Sequence, residues 1–172
     1  MSKLIDVKYL PVNPYSRVGE KRSATNYIVI HYIGWATKPS TAEQNWQYYA
    51  NLATTKTTSV SSNFIIGMDG EIIQCMPLDE VAYANYPLNG ESISIECCHP
   101  EKDGKFTEAT YNSLVRLVSW LCKKYGLGKN DVIRHYDVTK KLCPLYWAGD
   151  VGSPEYDRWV AFKEDLIFDE AF

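Results

Sequence analysis

The sequence predicts an α/β domain, a central mixed β-sheet of about five or six strands flanked by helices. Three observations support this fold: short apolar runs of strand length, segments with helical apolar periodicity, and their order β, α, ββ, β, α, β, α along the chain. The 172 residues are 45% apolar and fit one domain with its own core. We expect residues 1–22 to form a loosely attached N-terminal arm.

The first strand and helix are predicted between residues 27 and 52. Tyr27–His31 is a continuous apolar run rich in β-branched residues, which is typical of a buried strand and places His31 at the strand's C-terminal end. Ser40–Glu43 has the spacing of a capping box, which predicts a helix from there to about Leu52. Residues 53–59 are polar and predict a loop.

A β-hairpin and a further strand follow. Phe64–Ile66 and Ile72–Met76 flank the turn sequence Met68–Gly70, which is typical of a hairpin. Ser92–Cys98 alternates apolar with polar residues, as a strand does. This alternation places Glu96 on the face opposite the isoleucines.

The second half of the chain predicts two helices separated by a short strand. Thr107 is a candidate cap for a helix that extends to Tyr125, and Val132–Ile133 is a short strand that leads into His135. The last helix is predicted to begin at Ser153. Its expected buried face consists of Tyr156, Trp159, Phe162 and either Leu166 or Ile167.

Composition and charge exclude several classes of protein. The net charge is -3 and no run of Lys or Arg exceeds two residues, so nucleic acid and anionic membranes are not expected partners. No segment approaches the ~20 apolar residues of a membrane span or forms a signal peptide, so we expect cytoplasmic synthesis without membrane insertion. The five cysteines are expected to be reduced thiols. We expect a monomer.

A metal site is the first functional prediction. Arg134–Pro144 (RHYDVTKKLCP) contains His135 and Cys143, and His31 at a strand end supplies a third candidate ligand. Two imidazoles and one thiolate form a catalytic zinc set, with the fourth position open to water. The sequence therefore predicts one Zn²⁺ per chain. His99, in a predicted loop, is expected to be a solvated surface histidine.

Two further residues are candidates for catalysis. Glu96 could accept and return a proton during amide hydrolysis, and Lys141 could stabilise the negative charge that develops on the carbonyl oxygen. Each has a simpler interpretation: Glu96 as a solvent-facing residue on an edge strand, and Lys140–Lys141 as a solvated surface pair.

Residues 26–144 resemble the zinc-dependent N-acetylmuramoyl-L-alanine amidases of the phage-lysozyme and peptidoglycan-recognition-protein type. Four segments carry the resemblance: YIVIH ending at His31, SSNFIIGMDGEIIQ at 61–74, NGESISIE ending at Glu96, and HYDVTKKLCP at 135–144. The resemblance implies a mixed sheet flanked by helices. It also implies that His31, His135 and Cys143 bind zinc, that Glu96 is the acid/base and that Lys141 stabilises the oxyanion.

The implied reaction is hydrolysis of the bond between N-acetylmuramic acid and L-alanine in peptidoglycan, as in an endolysin that acts on the bacterial cell wall. No wall-binding domain is visible. Some family members carry a catalytic tyrosine where this chain has Ser62, and many have a histidine in the loop that here contains Tyr83 and Asn85. Trp35, Tyr83 and Asn85, in loops expected near the strand ends, are the candidates for contacting sugar or peptide.

Two other functions remain open from the sequence. A non-hydrolysing module could bind peptidoglycan in the same groove, although a complete set of metal ligands favours an enzyme. A cysteine hydrolase could use Cys143 as nucleophile and His135 as base.

Overall fold

The computed structural model describes residues 4–168, in which six strands form one mixed sheet flanked by four helices. This architecture confirms the predicted fold class. The strands are β1 (Ile5–Val7), β2 (Tyr27–Tyr32), β3 (Phe64–Ile66), β4 (Ile72–Gln74), β5 (Ser92–Cys97) and β6 (Val132–Arg134). The helices are α1 (Ala42–Thr55), α2 (Glu108–Tyr125), α3 (His135–Thr139) and α4 (Pro154–Glu164).

The strand order in the sheet is β1-β4-β3-β5-β2-β6. All neighbouring strands are parallel except β3 and β4, which form the predicted antiparallel hairpin. Gly70 in the hairpin turn has φ 84°, and a Cβ there would lie 2.8 Å from the carbonyl oxygen of Ala109. The turn therefore requires glycine both for its backbone conformation and for its approach to α2.

The two faces of the sheet pack against different helices. One face carries the isoleucines of β2 and β5, which form the larger core with α2 and α4. The opposite face carries Ile65 and Ile73, which pack with Tyr49 of α1. Because α1 packs mainly against β3 and β4, the C-terminal ends of β2 and β5 on this face are available for a site.

The predicted helix boundaries were partly correct. Thr41, and not Ser40, caps α1, and its side chain and that of Gln44 form a reciprocal capping box. Helix α1 also continues beyond Leu52 to Thr55, so part of the predicted 53–59 loop is helical, and the helix ends where Lys56 adopts φ 55°. A run of threonines has low helix propensity but contains no strong breaker.

The remaining helices agree better with the sequence pattern. Helix α2 begins after Thr107 and ends at Gly126 as expected. Leu166 is 5% exposed and Ile167 is 44% exposed, so Leu166 provides the last core contact. Within the described residues, none of the helices combines the length and apolarity needed to cross a membrane.

Residues 4–22 are attached to the sheet, although a loose arm is expected for residues 1–22; residues 1–3 of that arm lie outside the described residues. Strand β1 pairs in parallel with β4, and Arg17 forms a bidentate ion pair with Glu80 at 2.8 and 3.0 Å. Arg17 also donates to the carbonyl oxygen of Leu10. Strand β1 has a charged residue, Asp6, at its centre and is partly buried at Ile5 alone, so it lacks the continuous apolar run that identified the equally short β3 and β6.

We predict that Arg17→Ala lowers the free energy of unfolding by about 3 kcal/mol, because Glu80 would lose its partner in a largely buried position. The Arg17 and Glu80 side chains are only 15% and 10% exposed. Urea-induced unfolding measures the change. Lys21→Ala is the matched control, since its pair with Asp79 is exposed and contributes little. A loss no larger for Arg17→Ala than for Lys21→Ala would contradict the prediction.

Candidate metal centre

The centre is built by the register of three neighbouring parallel strands. His31 in β2 is the direct partner of Glu96 in β5. On the other side of β2, Ile30 pairs with Arg134, the last residue of β6, and His135 follows at once. Since the strands are parallel, their C-terminal ends meet at one edge of the sheet and bring residues from distant parts of the chain together.

Three side chains at this edge could hold a metal ion. The ligand atoms of His31, His135 and Cys143 all lie within 4.8 Å of one another, and His31 Nδ1 is 3.8 Å from Cys143 Sγ. Ligand atoms around a tetrahedral zinc are roughly 3.3–3.8 Å apart, given bonds of about 2.0 Å to nitrogen and 2.3 Å to sulfur. The three-residue cluster therefore fits the ion that the sequence predicts.

Unpartnered polar atoms support the same conclusion. Among the described residues, four buried side-chain nitrogen or oxygen atoms have no hydrogen-bond partner: His31 Nε2, Asn85 Oδ1, Glu96 Oε2 and His135 Nδ1. Native structures rarely leave such atoms unpaired, because each costs about 1–3 kcal/mol. Their location in and beside one cluster indicates a site that binds something further.

Both histidines are held in the neutral form that a metal requires. Burial, together with the nearby His135, lowers the pKa of His31 to about 3. Burial also lowers the pKa of His135, and the charge of Lys141 acts in the same direction. Neither ring would have to lose a proton to bind a metal at neutral pH.

The third member, Cys143, is 3% exposed, and its sulfur accepts a hydrogen bond from the backbone N–H of Tyr32 at 3.4 Å. Burial raises the pKa of the thiol. A buried thiol with a raised pKa is a poor nucleophile, whereas a bound metal would favour its thiolate directly. This environment disfavours the cysteine hydrolase.

Arg134 fixes the chain segment that carries His135 and Cys143. Its guanidinium is buried and forms an ion pair with Asp137 at 2.7 Å, and it also donates to the carbonyl oxygens of Trp147 and Gly149. Arg134 was not among the residues predicted to be functional. The pattern that could have identified it is the opposite charge of Asp137, three residues further along and just beyond the end of the strand.

Glu96 is not the solvent-facing residue of the simpler interpretation. Its side chain is 14% exposed, and its Oε1 lies 3.8 Å from His31 Nδ1. Burial raises its pKa to about 8, although the charge of Lys141 opposes this shift. The carboxyl group is therefore placed beside the metal ligands, with a pKa close to neutral pH.

The two adjacent lysines have different surroundings. Lys140 pairs with Asp150 at 3.4 Å on the surface. Lys141 is exposed and has no ion-pair partner within the described part of the chain, but its charge lowers the pKa of each titratable group in the centre: His31, Glu96, His135 and Cys143. Lys141 is thus the cation that acts on this site.

The three candidate substrate contacts occupy different positions. Trp35 is half-buried, and a groove of about 430 Å³ formed by the neighbouring residues 33–45 lies beside it. Tyr83 is half-buried, and its backbone pairs with Ser61. Asn85 is only 2% exposed, and its Nδ2 donates to Ser92 Oγ.

His99 also differs from its prediction as a solvated surface residue. It is 3% exposed, and its ring nitrogens lie 2.7 Å from the Glu101 carbonyl oxygen and 2.6 Å from that of Ile33. Its ring stacks on Tyr32 and contacts Trp35. His99 therefore connects two loops at the edge of the sheet, which a sequence pattern of one histidine beside a proline could not indicate.

Ser62 replaces the tyrosine of some relatives in a buried position. Its hydroxyl donates to the carbonyl oxygen of Phe64 at 2.9 Å and approaches the hydroxyl of Tyr49 at 3.4 Å. It has no exposure to the groove. Ser62 is thus a structural residue.

Fold and site together define an α/β domain in which two imidazoles and one thiol form a cluster able to hold a metal ion, with a carboxyl group beside it. The chain belongs to the N-acetylmuramoyl-L-alanine amidase family (Amidase_2), whose sequence profile matches residues 21–145. This match includes every proposed metal ligand.

Similar proteins agree with this assignment. The chain is 34% identical to the N-acetylmuramoyl-L-alanine amidase CwlL of Bacillus licheniformis over 83% of its own length and 42% of that protein's. It is 32% identical to BlyA of Bacillus subtilis over 90% and 44%. The chain thus spans less than half the length of these relatives.

Solved structures show the same fold. A mutant endolysin from Bacillus subtilis is 27% identical, with a TM-score of 0.75, and the match covers 95% of this chain and 98% of that one. The catalytic domain of XlyA is also 27% identical, with a TM-score of 0.74 and coverage of 95% and 99%.

We predict that Cys143→Ser lowers the metal content of the protein to a small fraction of one ion per chain, because the soft thiolate would be replaced by a hydroxyl that ligates zinc poorly. Metal analysis after dialysis against limiting zinc measures this. Cys122→Ala is the control, since Cys122 is equally buried but lies in α2. Retention of one ion per chain by folded Cys143→Ser would refute the ligand assignment.

Proposed function

We propose that this chain is a zinc-dependent amidase that hydrolyses the bond between N-acetylmuramic acid and L-alanine in bacterial peptidoglycan. The observation that carries the proposal is the set His31, His135 and Cys143 beside the buried carboxyl group of Glu96, in a chain of the N-acetylmuramoyl-L-alanine amidase family. The names of the curated relatives include this activity, and the chain aligns over 95% of its length with the solved catalytic domain of XlyA.

His31, His135 and Cys143 would hold one Zn²⁺ per chain. When bound, zinc supplies a Lewis acid for the scissile carbonyl and lowers the pKa of water at the open ligand position. The two neutral imidazoles and the sulfur beside the Tyr32 amide are already placed for such an ion.

Glu96 would act as the general base and then as the general acid. Among residues 4–168 its Oε2 has no hydrogen-bond partner, and its Oε1 lies 3.8 Å from His31 Nδ1, so the carboxyl group can reach a water molecule at the centre. It would take one proton from the attacking water and give one to the departing alanine nitrogen. A carboxyl group with a pKa near 8 is suited to both transfers at neutral pH.

Lys141 would stabilise the oxyanion. As the water oxygen bonds to the carbonyl carbon, negative charge develops on the carbonyl oxygen, and a nearby ammonium favours that state over the neutral amide. Lys141 suits this role because its charge already acts on all four groups of the centre and no carboxylate neutralises it within residues 4–168.

The substrate would lie at the C-terminal edge of the sheet. Trp35 and Tyr83, both half-buried, are the side chains we propose to contact sugar or peptide. Residues 1–172 would act as one catalytic domain and as a monomer on the bacterial cell wall, after synthesis in the cytoplasm. Peptidoglycan is the proposed partner, and the net charge of -3 gives no support to nucleic acid.

Two observations favour this proposal over its alternatives. A peptidoglycan-binding module without activity would have no need for a buried carboxyl group beside a complete ligand set. A cysteine hydrolase would need an accessible thiol, and Cys143 is 3% exposed.

We predict that Glu96→Gln reduces kcat on purified cell walls by about 10²- to 10⁴-fold while retaining zinc, because the amide cannot exchange a proton. Mass spectrometry of the products identifies the bond: the wild-type protein should release peptides with a new N-terminal alanine. Zinc content measured on the same sample is the control. Cleavage near the wild-type rate would remove Glu96 from the mechanism, and absence of new N-terminal alanine with the wild type would refute the proposed reaction.

We predict that Lys141→Met lowers kcat by about 10²-fold and changes KM by less than about 3-fold, because the ammonium acts on charge that exists only in the transition state. Lys140→Met is the matched control, since Lys140 pairs with Asp150 on the surface, and it should keep wild-type kinetics. An effect of Lys141→Met on KM alone would make Lys141 a binding residue.

A further inference from the structure

Two of the four unpartnered atoms at the centre remain unexplained by the proposed chemistry. His135 Nδ1 is a candidate metal-binding atom, and Glu96 Oε2 would face water or substrate. His31 Nε2 and Asn85 Oδ1 have neither function, although each is buried. One is a ring nitrogen that can carry hydrogen and the other is an amide oxygen, so they are complementary to each other.

The orientation of the His31 ring shows which nitrogen is available. His31 Nδ1 lies 3.8 Å from both Cys143 Sγ and Glu96 Oε1, so it faces the metal site. Nε2 is on the far side of the ring from Nδ1. Asn85 is the side chain that raises the pKa of His31, which is the direction an amide oxygen gives when it faces a ring N–H, although the two groups fall short of hydrogen-bond geometry in this structure.

Neighbouring residues fix the orientation of the Asn85 amide. Its Nδ2 donates to Ser92 Oγ at 2.7 Å, and that hydroxyl donates in turn to the carbonyl oxygen of Leu88 at 2.7 Å. Because the Ser92 hydrogen is already used, Ser92 can only accept from Asn85, so the amide nitrogen must face Ser92. Oδ1 is thereby left free for His31.

The backbone of Asn85 is fixed as well. The side-chain oxygen of Asn89 accepts hydrogen bonds from the backbone N–H groups of Ala84 and Asn85, at 3.1 and 2.8 Å. Ser92 begins β5, the strand that also carries Glu96. The loop is therefore anchored to the same sheet that positions the metal ligands.

We propose that Asn85 is a positioning residue for the metal centre: its Oδ1 accepts a hydrogen bond from His31 Nε2–H and so holds His31 in the tautomer whose Nδ1 is free to bind metal. This inference rests on the metal site of the proposed function. A neutral imidazole carries one hydrogen, and in the other tautomer that hydrogen would occupy Nδ1 and block the ligand position. Such partners of metal-binding histidines typically affect metal affinity by about 10- to 100-fold.

The tautomer can be measured without any metal. Nitrogen-15 NMR of the metal-free wild-type protein distinguishes Nε2–H from Nδ1–H for each histidine. We expect His31 to be predominantly the Nε2–H tautomer, and Asn85→Ala to populate Nδ1–H while the spectrum of His99, whose ring nitrogens face the carbonyl oxygens of Glu101 and Ile33, stays unchanged. A predominantly Nδ1–H His31 in the wild type would overturn the proposal.

Zinc affinity in competition with a chelator separates positioning from a purely structural role. Asn85→Ala removes the acceptor and should weaken zinc binding by about 10- to 100-fold. Asn85→Asp keeps an acceptor for His31 but cannot donate to Ser92, and we expect it to bind zinc within about 3-fold of wild type or more tightly, because carboxylates commonly fill this role. Equal weakening by Asn85→Asp and Asn85→Ala would overturn the proposal.

Ser92→Ala is the matched control for the anchored loop. It removes the partner of Asn85 Nδ2 but leaves Oδ1 in place, so it should lower thermal stability more than zinc affinity. Loss of zinc affinity equal to that of Asn85→Ala would assign the effect to the loop and overturn the proposal. If Asn85→Ala does not fold, the wild-type tautomer and Asn85→Asp decide the question.

The two proposals fail in different ways. A wild-type protein that binds no zinc would refute the proposed function, while the tautomer of metal-free His31 would still test the contact with Asn85. A protein that binds zinc and cleaves peptidoglycan but holds His31 as Nδ1–H would refute only the role of Asn85.

Discussion

The parallel pairing of β2 with β5 on one side and β6 on the other is the constraint on which the rest of the site depends. It sets His31 directly beside Glu96 and starts His135 at the end of the next strand. A slip of one residue in β2 would turn His31 toward the core of α2 and α4 and bring Ile30 to the site, so the apolar faces of the strands enforce the position of the ligand.

The sheet alone does not position Cys143, which lies in a loop after α3. The buried guanidinium of Arg134 connects the end of β6 to Asp137, which precedes that loop in the chain. It also donates to the carbonyl oxygens of Trp147 and Gly149, which follow the loop. Tyr32 completes the arrangement, because its backbone N–H donates to the sulfur. A buried polar network thus positions the thiol beside His31, whereas the strands position the two histidines.

The buried titratable groups and unpartnered polar atoms of the centre lower the stability of the fold, but they suit the chemistry proposed for the site. Burial disfavours charge on His31 and on Glu96, and four polar atoms there lack partners among the described residues. Such unpaired groups are unfavourable in a core and are characteristic of functional sites. Lys141 supplies the opposing positive charge from the exposed side, and Asn85 supplies an uncharged acceptor from the buried side.

The sequence by itself determined the sheet, the main helices and the candidates His31, Glu96, His135, Lys141 and Cys143, because strand alternation and caps are local patterns. It misjudged β1, the end of α1 and His99. Only the tertiary structure decided these, since burial and hydrogen bonding join residues distant in sequence, as where a ring nitrogen of His99 meets the carbonyl oxygen of Ile33. Local pattern identifies which residues carry chemistry, and three-dimensional contacts determine which atom of each residue performs it.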